Sequence, residues 1–326
     1  MPRLRVAVLY GGRTGEHEVS LNSAESIMAA MDPEKYEIER ILIGKDGRWQ
    51  PRPILPEPGS NPGIDVVFPV LHGTFGEDGT VQGLLELADL PYVGAGVLAS
   101  SVSMDKEVMK RLVAAAGLPV VDYLVASRDR MTSDELCGKF PFPVFVKPAN
   151  LGSSVGISKV HNCEQFEEAL QLAGRFDRKI IVERGITGRE FECSVLGNDD
   201  PAASVPCEIL PSREFYDYED KYILGKAQTV VPADLSPEQT AEIQRLAIAC
   251  YKAVSCEGMA RVDFLFEVET GQLFVNEINT IPGFTTISMY PKMWEASGLP
   301  YSKLIDRLIE LALERHRAHQ ATSYSR

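Results

Sequence analysis

Two short segments near the C-terminus constrain this chain most: Arg261-Val262-Asp263-Phe264-Leu265-Phe266 and Gln272-Leu273-Phe274-Val275-Asn276-Glu277-Ile278-Asn279. Both alternate with the two-residue period of a strand, and Glu267-Val268-Glu269-Thr270-Gly271 lies between them. Pairing Val268 with Gln272 leaves a three-residue loop ending in Gly271, a favoured hairpin whose last position takes a left-handed residue. That register sets Asp263 opposite Glu277 and Arg261 opposite Asn279. Side chains two apart share a strand face, so Arg261, Asp263, Glu277 and Asn279 all point the same way. The other face (Val262, Phe264, Phe266, Phe274, Ile278) is apolar but for Asn276. Two carboxylates and an amide together repel or stay wet. A hard cation such as Mg²⁺ resolves the conflict, because it takes such oxygens and brings phosphates with it. Arg261 beside it suits a transferring phosphoryl or acyl-phosphate group. An exposed face with a cross-strand ion pair is the plainer reading. Against it stands the loop that follows, Thr280-Ile281-Pro282-Gly283-Phe284-Thr285-Thr286, whose small and hydroxylated residues suit a site at a strand end.

The chain has 326 residues, enough for two or three domains. A net charge of −13 argues against nucleic acid as a partner and requires local basic residues around any anionic substrate. No apolar run approaches the length of a membrane span. Residues 1–9 are too short an apolar stretch for a signal peptide and read as a first strand, so the expected location is the cytoplasm. The six cysteines (137, 163, 193, 207, 250, 256) are scattered with no C-x-x-C pair, and buried free thiols are expected, without zinc or disulfides.

Strands are expected at 4–9, 36–43 and 66–71, with helices between and after them, at about 21–31 and 80–90. Such alternation implies a parallel sheet, with ligands at the carboxyl ends of its strands, where Glu16 and His72 fall. After a composition break at Gly94-Ala95-Gly96, one helix is expected at about 104–116, with Gly117 as its cap. Further on, Asn162 with Gln165 and Ser236 with Gln239 mark capping boxes. A terminal amphipathic helix covers about 301–318.

Val144-Phe145-Val146-Lys147-Pro148 leads into Ala149-Asn150-Leu151-Gly152-Ser153-Ser154-Val155-Gly156, and the chain returns as a strand, Ile157-Ser158-Lys159-Val160. The serine loop is either an ordinary hairpin tip or one that wraps a phosphate with N–H groups and hydroxyls. Lys147 favours the second, since a lysine on an apolar strand needs an anion. Lys106 at a helix start reads alone as a solvated lysine, being badly placed for the helix dipole. Glu183, ending an apolar strand, either accepts from a ribose or caps a turn. Glu190 and Glu192 share a strand face, and Tyr216–Tyr222 forms a polar aromatic loop long enough for a lid.

With these motifs in view, the chain resembles the ATP-grasp ligases, and closely the D-alanine–D-alanine ligase family. The likeness runs through Tyr10-Gly11-Gly12, Gly15 to Ser20, Leu71 to Gly79, Met104-Asp105-Lys106, Val146-Lys147-Pro148, the serine loop, Tyr218 to Tyr222, Arg261-Val262-Asp263, and Asn276 to Thr280 with Pro282-Gly283. It implies an α/β fold: an N-terminal parallel-sheet domain of the biotin-carboxylase-N kind over 1–97, then a two-part ATP-grasp fold, a small domain over 98–184 and a metal-bearing one over 185–326. It implies ATP and two Mg²⁺ (or Mn²⁺) ions, D-alanine as substrate, synthesis of D-alanyl-D-alanine for peptidoglycan, and a homodimer.

The roles that the resemblance implies are these. Lys106 and Lys147 bind phosphates, and Ser153 and Ser154 close over the triphosphate. Glu183 and Glu190 serve the ribose and adenine side, with backbone near Arg184 and Ile186 at the adenine; Phe274 and Asn276 also belong to the ATP site. Lys221 touches the γ-phosphate. Asp263, Glu277 and Asn279 hold the metals. Glu16 binds the ammonium of the first D-alanine, linked to Ser153 and Tyr222, with His72 near. Arg261 and the Gly283 amide stabilise the acyl phosphate and oxyanion, and Ser288 and Met289 meet the second D-alanine's carboxylate. Leu151, where the family often has Glu, and Arg184-Gly185 depart from the pattern without removing a catalytic group. Two rivals stay open: a D-alanine–D-lactate ligase, which Lys221-Tyr222 argues against, and a nucleotide-binding regulator without catalysis.

Overall fold

Alternating strands and continuous buried ones build three separate sheets in this computed structural model, which describes residues 2–128, 133–210 and 228–323. The first holds β1 (Leu4–Gly11), β2 (Tyr36–Ile43), β3 (Trp49–Gln50) and β4 (Val66–Val70) in the order β3-β2-β1-β4. β1 pairs in parallel with both β2 and β4, as the strand–helix alternation requires. Helix α1 (His17–Ala30) connects β1 to β2, and α2 (Thr80–Leu87) follows β4. The helix expected at about 104–116 is α4 (Lys106–Ala115), but an unexpected helix, α3 (Val97–Met104), precedes it. The Asp105 carboxylate accepts from the backbone N–H groups of Glu107 and Val108 and so starts α4.

The central sheet is antiparallel, in the order β5-β8-β6-β7, from β5 (Tyr123–Ser127), β6 (Val144–Pro148), β7 (Ser158–Val160) and β8 (Lys179–Arg184). The serine loop is the tip of the β6–β7 hairpin, as its sequence suggests. Helices α5 (Ser133–Leu136) and α6 (Phe166–Phe176) cover one face. Here the cysteine expectation fails in part. Cys137, just past α5, and Cys163, just before α6, form a disulfide with Cα atoms 5.4 Å apart. Packing of α5 on α6 brings together residues 26 apart in sequence, which no local spacing reveals. The other four cysteines are buried free thiols.

The third sheet runs β12-β11-β9-β13-β14, with β10 (Ala202–Ala203) beside β9, and it is antiparallel. Its strands are β9 (Gly188–Leu196), β11 (Cys207–Leu210), β12 (Gln228–Val230), β13 (Met259–Glu267) and β14 (Gln272–Asn279). Behind it lies α7 (Pro237–Ala253), opened by the expected capping box of Ser236 and Gln239. α8 (Met289–Ala296) and α9 (Tyr301–Gln320) follow. The apolar stripe of α9, with Leu304, Ile305 and Leu308, enters one core with Val6 and Val8 of β1 and Phe68 of β4. Arg315 of α9, buried, donates to the carbonyls of Tyr92 and Gly94.

Candidate active site

The β13–β14 hairpin reaches the expected pairing by a different route. Glu267 pairs with Gln272, so the turn is one residue out of step with the expected register. A bulge between Asp263 and Phe264 then absorbs Asn276 as an extra residue, and Asp263 faces Glu277 and Arg261 faces Asn279 after all. The bulge also corrects the apolar face. Phe274 lies opposite Leu265, on the site side, and Val275 takes its place opposite Phe264 in the core.

Charge is dense at this point. Arg261 donates through Nε and Nη2 to Asp263 Oδ1 and Oδ2, both at 2.7 Å, and Asn279 Nδ2 donates to Asp263 Oδ2 at 3.0 Å. Buried Glu192, paired with Asp263 across β9 and β13, has its Oε2 3.3 Å from Arg261 Nε. Burial opposes the charge on Arg261, but Asp263 and Glu192 outweigh it and hold the guanidinium protonated. Glu192 was visible beforehand only as the neighbour of Glu190 on an alternating strand. Among the described residues, no three His, Cys, Asp or Glu side chains are grouped to hold a metal. The donor set of Asp263, Glu277 and Asn279 is two carboxylates and an amide. These hard oxygens fit a Mg²⁺-like ion that keeps waters and phosphate oxygens, and do not fit a soft metal.

A cavity of about 340 Å³ opens beside this hairpin, between the central and third sheets. Lys106, Lys147, Ser153, Ser154 and Glu183 line one side, and Glu190, Asp263, Asn276 and Glu277 the other, with Arg184 and Ile186 at the connector. Phe145, Leu265 and Ile157 add apolar wall. Lys106 is buried rather than solvated: its Nζ donates to the Leu151 carbonyl at 2.8 Å and lies 3.8 Å from Glu277 Oε2. It shares the buried stripe of α4 with Met109, Lys110 and Val113. Glu183 neither caps a turn nor stands alone. Lys110 Nζ is 3.0 Å from its Oε1, and Lys147 contacts its Oε2. Burial alone raises the pKa of Glu183; Lys110 and then Lys147 reverse this and bring it down to about 2. Lys110 escaped the sequence reading, although lysines at both 106 and 110 on the buried stripe are a signal. Arg184 pairs with Glu267 and lies over the Phe274 ring at 5.6 Å.

The remaining expected residues form a second group, joined to the first by the serine loop. Ser153, at φ +55°, donates its hydroxyl to Glu16 Oε1. Glu16 sits between β1 and α1 and packs so closely on Gly73 that a Cβ there would lie 2.6 Å from its Oε2. His72, just past β4, is buried. Its Nδ1 meets the Ile281 carbonyl at 3.1 Å and its Nε2 meets Ser23 Oγ at 3.3 Å. Burial works against a charge on His72, yet Glu77, 3.7 Å away, prevails and raises its pKa. The 280–286 loop is tied to α1, because the Phe284 N–H donates to Ser23. A Cβ on Gly283 would lie 2.8 Å from Ser288 Oγ, so a larger residue there would have to displace that hydroxyl. Ser288 precedes α8, and the side chain of Met289 packs against Cys207 in the core. Lys221 and Tyr222, and the expected lid around them, lie outside the described residues.

Two antiparallel sheets closing a basic-walled cavity against an acidic hairpin, behind an N-terminal parallel sheet, make this an ATP-grasp fold. A family model described as "D-ala D-ala ligase C-terminus" matches residues 112–310, and one described as "D-ala D-ala ligase N-terminus" matches 5–62 and 53–95. The chain belongs to the D-alanine–D-alanine ligase family. It is 67% identical to the D-alanine–D-alanine ligase of Solibacter usitatus (strain Ellin6076) over 324 residues, 99% of this chain and 100% of that protein. With the D-alanine–D-alanine ligase of Thermoanaerobacter sp. (strain X514) it shares 51% identity, covering 97% and 98% of the two chains. Its fold superposes on the D-alanine–D-alanine ligase of Coxiella burnetii with a TM-score of 0.88, at 43% identity over 98% and 97% of the chains. The VanG D-Ala:D-Ser ligase of Enterococcus faecalis gives 0.87, at 35% identity over 95% and 100%.

Proposed function

We propose that this protein uses ATP to join two D-alanines into D-alanyl-D-alanine for peptidoglycan precursors. The reading rests on one contact above all: Ser153, whose loop lines the cavity for the nucleotide, is bound to Glu16, which sits among the residues suited to an amino acid. The first D-alanine carboxylate attacks the γ-phosphoryl group of ATP, ADP leaves, and an acyl phosphate forms. The second amine, in its neutral form, then attacks the acyl carbon; phosphate leaves and the new amide nitrogen gives up a proton. Such a transfer needs positioning and charge neutralisation more than covalent help.

Lys106 and Lys147 bind the phosphates, and Ser153 and Ser154 cover them with Lys221. Glu183, Arg184, Ile186, Glu190, Phe274 and Asn276 surround the ribose and adenine. Asp263, Glu277 and Asn279 hold two Mg²⁺ or Mn²⁺ ions, which when bound supply positive charge to the phosphates. Glu16 takes the first ammonium, with Ser153, Tyr222 and His72 beside it. Arg261, now anchored by Asp263 and Glu192, and the Gly283 amide receive the developing oxyanion. Ser288 and the Met289 backbone hold the second carboxylate. The domains at 1–97, 98–184 and 185–326 carry these groups, a homodimer is the working assembly, and the cytoplasm is its place.

Phosphate release from ATP with D-alanine, and with D-alanine plus D-serine, D-lactate or L-amino acids, tests this. Release with D-alanine alone and a dipeptide product is expected. ATP bound without release would favour a regulator, and release dependent on D-serine or D-lactate would move the second substrate.

A further inference from the structure

Lys147 and Glu183 line the nucleotide cavity, whereas Lys110 lies behind them, fully buried. Its Nζ approaches Glu183 Oε1 at 3.0 Å while Lys147 holds Oε2, so two ammonium groups share one carboxylate. The Tyr123 ring of β5 lies 5.9 Å from Lys110 Nζ, and Glu277 of β14 adds attraction from further off. Burying a net cation is costly, and burial does lower the pKa of Lys110. Such an excess is explained if one of the two lysines has a second anion to serve.

We propose that Lys110 is a positioning residue, the standing counter-ion of Glu183, which frees Lys147 to exchange Glu183 for a nucleotide phosphate. This rests on the assignment of Lys147 to phosphate. With Lys110 in place, the exchange leaves Glu183 ionised and paired, and no proton moves. Without Lys110, the departure of Lys147 strands a carboxylate in the interior, and Glu183 takes a proton from solvent instead.

Calorimetric titration with Mg²⁺-ADP at pH 7, in buffers of different ionisation enthalpy, counts protons taken up on binding. Wild-type protein is expected to take up almost none. Lys110→Met is expected to take up about half a proton or more per ADP, and its affinity to fall as pH rises. Lys110→Arg should return the count to the wild-type value, and so should Lys110→Met combined with Glu183→Gln. If Lys110→Met does not fold, Lys110→Gln removes the charge but keeps a donor and gives the same readout. A folded, ADP-binding Lys110→Met with the wild-type count overturns the proposal. Wild-type protein that binds no ADP overturns the nucleotide reading beneath it.

Discussion

Asp263 stands directly across from Glu277, although the turn joining their strands is out of step by one residue. Asn276 makes up the difference. Without that bulge, Glu277 and Asn279 would fall on the core side of the sheet. Glu277→Gln keeps the shape and removes the charge at a half-buried position. It is expected to lower kcat by about 10²-fold or more, with the melting temperature nearly unchanged. Phosphate release at saturating ATP and D-alanine, beside a thermal melt, checks both; full turnover would dismiss the metal assignment.

Ser153 holds a backbone conformation that glycine adopts freely and serine rarely. The hydroxyl contact with Glu16 is the visible return for that strain. Ser153→Gly relaxes the backbone and Ser153→Ala keeps it strained, but both lose the hydroxyl. Both are expected to lower kcat/KM for D-alanine by roughly 10- to 100-fold, the scale of one hydrogen bond to a charged group. If the glycine variant kept wild-type kinetics, the hydroxyl would have no part in the reaction.

Glu183 gives a pH signature for stability. Its folded pKa, about 2, lies below the ordinary carboxylate value of 4.5. The unfolded chain therefore binds the extra proton between these values, and stability rises with pH across that window. Its contribution is complete above about 4.5 and lost as pH falls toward 2. Urea unfolding of wild type and Glu183→Gln from pH 7 to 3 should show a gap that is flat at first and closes on the acid side. A gap that widened with acid would contradict the pairing with Lys110 and Lys147.

The four free cysteines should be silent in the folded protein. Burial pushes Cys193 and Cys250 up to about 12 and raises Cys207 and Cys256 as well, so almost no thiolate exists at pH 8. Iodoacetamide followed by mass spectrometry is expected to modify none of them until denaturant is added. Rapid labelling of any one in the native state would mean that its segment opens.

Much of the site was legible because its chemistry is written in strand alternation. Asp263, Glu277, Arg261 and Asn279 share a face in the sequence and in the fold. The bulge was not legible, since Asn276 in an alternating run looks like one more polar position. Lys110 was missed for a different reason. A lysine on an amphipathic helix is usually solvated, and only its place between Lys106 and Val113 on the buried stripe argues otherwise. The start of α4 near Asp105 was legible, whereas α3 was not, since Ser100, Ser101 and Ser103 are weak helix formers and blur its apolar period. The disulfide depends on how α5 meets α6, which no local pattern encodes.

The core shared by α9 with β1 and β4 has a consequence for synthesis. Translation adds roughly 5–20 residues per second, so the first strands leave the ribosome well before Leu304 and Leu308 exist. For that interval one face of the N-terminal sheet has α1 but lacks the rest of its cover. Nor are the carbonyls of Tyr92 and Gly94 yet met by Arg315. The earliest part of the chain to be made is thus among the last to be finished, and a nascent chain must keep that face from the wrong partners until its own last helix arrives.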